Sequence, residues 1–157
     1  MVEPQQGLRA MKYLALSGST REGSVNQKTV DAVAASLRVL PAEVINITLK
    51  DFEMPIYNGD LEAKTGLPLT AQRCQTLLRD TDGLIIGCPE YNSYMTPLLL
   101  NTIDWSTRSS DGGADLSAYR NKPVLITSAS PGGDGWGTSG RSTAFVTGRH
   151  RLPGTPG

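Results

Sequence analysis

Short apolar runs alternate along this chain with stretches whose apolar residues recur every three or four positions. Residues 12–17 (KYLALS) form a run of strand length, and from Asn26 onward Val30, Val33, Leu37 and Leu40 fall on one face at helical spacing. Residues 43–49 (EVINITL) carry Val44, Ile45 and Ile47 and read as a second strand. The DFEMPIYNGD segment that follows reads as loop, with Pro55 and a turn at 58–60. A second helix is predicted over 70–80, with Cys74, Leu77 and Leu78 inward. Residues 83–88 (GLIIGC) are apolar without alternation, as expected of a strand covered on both faces of a parallel sheet. In TPLLLNTIDW, Thr96 can cap and Pro97 can take the first position of a third helix, and residues 122–130 (KPVLITSAS) make a fourth strand.

This strand and helix order predicts an α/β fold, a doubly wound parallel sheet with right-handed crossovers and helices on both faces. In such sheets a ligand lies beyond the carboxyl ends of the strands, which here means the loops 17–26, 88–96 and 130–137. All three are rich in Gly, Ser, Pro or Asn. The chain of 157 residues suits one domain, and no internal repeat interrupts it.

The first loop, SGSTREGSVN, has the chemistry of an anion site. Ser24 with Gln27 fits a capping box, so the loop ends where a helix begins, with unpaired N–H groups and the positive end of the helix dipole. Ser17, Ser19, Thr20 and Ser24 offer hydroxyls, Gly18 and Gly23 let the backbone turn closely, and Arg21 supplies a guanidinium suited to phosphate oxygens. The Gly-Lys-Ser/Thr ending of a nucleotide-hydrolysing loop is missing, as is the G-x-G-x-x-G of a dinucleotide fold. A terminal monophosphate fits, with an ordinary Ser/Gly turn as the alternative. After the third strand, Pro89, Glu90, Tyr91 and Asn92 could present N–H donors to a flat heteroaromatic ring, with Tyr91 or Tyr94 packed against it; core aromatics in a well-capped loop are the blander alternative.

Composition narrows the partners. Fifteen Lys and Arg balance fifteen Asp and Glu, so neither a nucleic-acid footprint nor a membrane-attracting basic face is suggested, and a small molecule is expected. With no spanning-length apolar run and no signal-peptide core in MVEPQQGLRA, the chain reads as cytoplasmic. Cys74 and Cys88 read as free thiols. His150, the only histidine, lies in a Gly/Pro/Arg-rich segment and is not read as catalytic.

SGSTREGSVN, PEYN with TPLLLNTIDW, and PVLITSASPGG, in this order and spacing, resemble the NADPH-dependent FMN reductases, which include chromate, quinone and azo-dye reductases. The resemblance spans roughly residues 11–135. It implies a flavodoxin-like fold, FMN held without a covalent link, and NADPH or NADH as co-substrate. By position, Ser19, Arg21, Ser24 and Asn26 would hold the FMN phosphate, Pro89, Glu90, Tyr91 and Asn92 would line the isoalloxazine ring, and Ser130, Gly132 and Gly133 would approach its pyrimidine side. The implied reaction is ping-pong hydride transfer through the flavin to a quinone, azo, chromate or similar acceptor, with no side chain as acid or base. A homodimer or homotetramer is expected.

Two departures accompany the resemblance. Leu100 stands where a lysine is usual, removing a charge near the partner surface. After SPGGDG, the run WGTSGRSTAFVTGRHRLPGTPG lacks helical periodicity, and its glycines and prolines disfavour both helix and strand. The expected organisation is an extension at 1–10 without fixed structure, an FMN-binding domain at 11–135 and an irregular tail at 136–157. The fold is accordingly expected to lack the family's last helix and strand. A flavodoxin-like electron carrier, or a truncated paralogue binding flavin weakly or not at all, are the competing classes.

Overall fold

The computed structural model describes residues 9–130 and the backbone of Thr143–Thr147. Strand β1 (Met11–Ser17) leads into helix α1 (Val25–Leu37) and returns as β2 (Ala42–Thr48), followed by a 3₁₀ turn at Leu49–Phe52. Two helices, α2 (Gly59–Thr65) and α3 (Leu69–Arg79), precede β3 (Gly83–Gly87). A hairpin of β4 (Glu90–Tyr91) and β5 (Tyr94–Met95) then opens onto α4 (Pro97–Ser106), and β6 (Val124–Ser128) and β7 (Thr143–Thr147) close the described order. The main sheet runs β2-β1-β3-β6-β7, with the first four strands parallel and β7 antiparallel to β6.

Alternation along the strands sorts side chains onto the two faces. Leu14, Leu16 and Leu84 join Cys74 and Leu78 of α3 and Leu99 of α4 in one buried cluster. Ala15 and Ile85 meet Val30 and Ala34 of α1 on the other face. Helices therefore cover both faces, as a doubly wound sheet requires.

The structure differs from the sequence reading in three places. The 58–60 segment, read as a turn, is the start of α2: Asn58 Oδ1 accepts from the N–H groups of Asp60 (2.8 Å) and Leu61 (3.1 Å), so a turn-forming residue serves as a helix cap. Leu40, placed on the apolar stripe of α1, lies beyond the helix end at Leu37 and is exposed. Residues 143–147, expected to be irregular, pair with the whole of β6 in antiparallel register, Ser128 opposite Thr143 through Val124 opposite Thr147. Thr143, Phe145, Val146 and Thr147 favour a strand themselves, a preference masked in the sequence by the glycines and prolines of the tail around them.

Candidate functional site

The carboxyl ends of β1, β3 and β6 open into one cleft with about 530 Å³ of empty space, open to solvent. Ser19, Arg21, Ser24, Val25 and Asn26 form its first wall, Pro89, Glu90 and Tyr91 its second, and Ser128, Ala129 and Ser130 its third.

The first wall is shaped by close packing. A Cβ on Gly18 would lie 2.9 Å from Thr96 Oγ1 and 3.0 Å from Leu99 Cβ, so only glycine lets the loop pass this near α4. The Gly18 N–H donates to Gly87 O (2.8 Å), and the Thr96 hydroxyl donates to Gly18 O (2.7 Å), tying the first loop to the second. Gly23 takes a φ of 66°, turning the chain into the helix. Ser24 caps α1 by accepting from the Gln27 N–H (3.3 Å). The capping box is only half made: the Ser24 N–H donates to Arg21 O (3.2 Å) and not to the Gln27 side chain, whose Nε2 donates to Asp31 (2.9 Å). Beside these helix-start donors Arg21 is exposed, and among the described residues its guanidinium makes no ion pair.

Two of the first loop's hydroxyls lie elsewhere. Thr20 is exposed and does not line the cleft. Ser17 is buried on the α1 side of the sheet, in a row with Gly87 and Thr127. A Cβ on Gly87 would sit 2.7 Å from Val30 Cγ2 and 3.0 Å from Asn26 O, so this row lies directly beneath the first turn of α1. Ser17 Oγ and Thr127 Oγ1 are buried there without a hydrogen-bond partner.

Asn26 lines the cleft, yet its side-chain amide is committed to backbone. Its Nδ2 donates to Ala129 O (2.8 Å), and the Ala129 N–H donates to its Oδ1 (3.0 Å). Both ends of the group thus face Ala129, and what Asn26 offers the cleft directly is its backbone N–H in the first turn of α1. Ala129 itself, with Val25 and Ser128, was not among the expected site residues. A lining residue that contributes backbone leaves no side-chain signature in sequence.

Across the cleft, Glu90 turns its carboxylate onto the Ser93 N–H inside the β4–β5 hairpin. Asn92 (φ 53°) and Ser93 (φ 63°) are the two central residues of that hairpin, both left-handed, as a two-residue connection requires. Asn92, expected at the ring, is exposed at the tip of the hairpin beside the cleft-lining Glu90 and Tyr91. Tyr91 and Tyr94 pair directly across the hairpin and are 51% and 61% exposed, so their rings form a surface at the mouth of the cleft and contribute nothing to the core. Gly132 and Gly133 lie outside the described residues.

Arg108, which could have reached a cofactor phosphate, is held away from the cleft. Its Nε donates to both Glu62 carboxylate oxygens (2.9 and 3.1 Å), and its guanidinium stacks 5.6 Å from the Tyr57 ring centroid. The Tyr57 hydroxyl donates to the same carboxylate (3.0 Å). Arg108 is the main cause holding the Glu62 carboxyl below its ordinary range, the Tyr57 bond adding to it against the opposing effect of burial. Burial alone raises both thiols, Cys74 to about 11 and Cys88 in the same direction, leaving them protonated.

The chain that folds a helix start and a Pro-Glu-Tyr wall around this cleft has relatives. Residues 11–142 match the family described as NADPH-dependent FMN reductase. The chain belongs to that family. This member of the FMN reductase family is 33% identical over 124 residues to a quinone reductase of Escherichia coli K12, covering 78% of this chain and 61% of that protein. An NAD(P)H-dependent FMN reductase of Pseudomonas aeruginosa is 34% identical over 123 residues, with the same coverage. Among solved structures, the flavoenzyme NAD(P)H:(acceptor) oxidoreductase FerB of Paracoccus denitrificans superposes with a TM-score of 0.60 at 25% identity, over 78% of this chain and 63% of that one. The chain thus spans about three fifths of the length of these curated relatives. Among its described residues no helix is long and apolar enough to cross a membrane.

Proposed function

We propose that this member of the FMN reductase family binds FMN in the cleft and carries reducing equivalents from NADPH or NADH to a quinone, azo, chromate or similar small-molecule acceptor in ping-pong order. The observation that carries this reading is the joining, in one cleft, of an anion-binding wall to a wall that can face a flat ring. The donor set fits FMN: Ser19, Ser24, the first N–H groups of α1 and Arg21 suit a terminal phosphate, and Glu90, the single carboxylate among the described residues lining the cleft, is turned into its own hairpin.

When bound, FMN supplies the centre that accepts and gives up hydride. Ser19, Ser24 and Arg21 hold its phosphate end. Pro89 and Tyr91 bound the ring pocket. Backbone N–H groups of the second and third loops, with Ser130 and in this proposal Gly132 and Gly133, stabilise negative charge near the ring without moving a proton. Glu90 acts through the hairpin, since its carboxylate holds the Ser93 N–H and so fixes the turn that carries Tyr91. Assembly as a homodimer or homotetramer and a cytoplasmic location belong to the same proposal.

The experiment is spectroscopic. Purified protein reconstituted with FMN should show the flavin bands, and anaerobic NADPH or NADH should bleach them, with quinone restoring them. Flavin that is bound but not bleached would favour a flavodoxin-like carrier, and a colourless protein would favour a paralogue without cofactor.

A further inference from the structure

The carboxyl end of β6 loses its neighbour just where the cleft needs it. The β3–β6 ladder runs in register from Leu84 opposite Val124 to Gly87 opposite Thr127, and its last bond is the Cys88 N–H to Thr127 O (2.7 Å). Beyond Cys88 the chain meets Pro89, which has no N–H, and turns into the β4–β5 hairpin. On its β3 side, among the described residues, the backbone of Ala129 is thereby left without a strand partner at the edge of the site.

Asn26 takes the place of that strand. A side-chain amide has the same donor and acceptor spacing as a peptide group, and Asn26 offers both to Ala129 as a reciprocal pair, 2.8 and 3.0 Å, across 103 residues of sequence. The residue is only 6% exposed, sits in the first turn of α1 and is pressed from below by Gly87, so its own position is set by packing. The Thr96–Gly18 bond links the first loop to the second, and the Asn26–Ala129 pair links the first to the third. The first loop is thus the hub through which all three walls share one geometry.

We propose that the Asn26 side chain is a positioning group: its amide splints the end of β6 onto α1 and presets the third wall for the flavin ring, and it acts through Ala129, not on the phosphate. Its effect on flavin rests on the FMN reading above; the splint itself does not.

The test uses the full chain and two readouts. Hydrogen exchange on flavin-free protein should show the Ala129 amide protected in wild type. In Asn26→Ala that protection should fall about tenfold or more while β1 amides keep theirs. Affinities for FMN and for riboflavin, which lacks the phosphate, should fall by the same factor, about tenfold. Asn26→Asp keeps an acceptor for the Ala129 N–H but sets a carboxylate oxygen against the Ala129 carbonyl, so it should show intermediate exchange, and it serves if the alanine variant fails to fold. A drop in FMN affinity with riboflavin affinity and Ala129 exchange unchanged would make Asn26 a phosphate ligand and overturn the proposal. An Ala129 amide unprotected in wild type would overturn it equally. If wild type binds neither flavin, the FMN reading fails, while Ala129 exchange still decides the splint.

Discussion

Arg21 and Asn26 both line the first wall of the cleft, and the structure gives them opposite tasks. Arg21 keeps its guanidinium free of ion pairs among the described residues, so Arg21→Ala should weaken FMN by about ten- to a hundredfold, the worth of a charge-assisted donor pair. Riboflavin affinity should hardly move, which fluorescence titration of the two flavins would show. Ser17 and Thr127 present a different case, since a buried hydroxyl with no partner is a cost of folding. Ser17→Ala and Thr127→Val should each raise stability by about 1 kcal/mol in urea denaturation. Glu62 titrates against the fold. Its folded pKa lies below the unfolded value, so its contribution is present above the unfolded pKa near 4.3 and is lost as pH falls through the folded one. Glu62→Gln should therefore lower the Tm at pH 7, and the gap to wild type should narrow as the pH is taken below about 4.

Elements carry the next set of consequences. Gly87 allows α1 to settle on β3, and the methyl group of Gly87→Ala would collide with Val30 and the Asn26 carbonyl. That variant should lose roughly 1 to 3 kcal/mol and should also bind flavin less well, because the phosphate wall and the splint move with the helix turn. In the hairpin, Ser93→Gly should stabilise by up to about 1 kcal/mol, since a serine at φ 63° bears a Cβ that glycine lacks. The elements that sequence alone revealed are those whose burial follows chain period: the four parallel strands, α1, α3 and α4, together with the three loops that their order brings to one edge. Eight of the cleft-lining side chains, Ser19, Arg21, Ser24, Asn26, Pro89, Glu90, Tyr91 and Ser130, were legible because each belongs to a loop motif. What escaped was settled across space. Asn58 looks like a turn residue until a helix follows it, and the hydrogen bonds of Glu90 to the Ser93 N–H and of Asn26 to Ala129 join groups that no spacing in the chain marks as partners. The β7 pairing escaped because the short TAFVT run was read together with the glycines and prolines that flank it, and because the ladder it joins lies on β6.

At the scale of the molecule, FMN should act as a folding ligand. A guest touching loops from three strands binds only the assembled chain, so at a hundredfold excess over its Kd it should add about 2.7 kcal/mol, or roughly 5 to 10 °C in Tm. Differential scanning fluorimetry with FMN against riboflavin would measure it. The 103 residues between Asn26 and Ala129 also set a clock. During synthesis at about 5 to 20 residues per second, the loop after β1 leaves the ribosome roughly 5 to 20 s before the residue that its asparagine must grip. For that interval the nascent chain carries an anion-binding turn without a third wall, and a flavin arriving early would find its phosphate half-accommodated and its ring unsupported. On the FMN proposal, cofactor loading would be deferred until β6 has been translated, and the vitamin-derived group would not template the strands made before it.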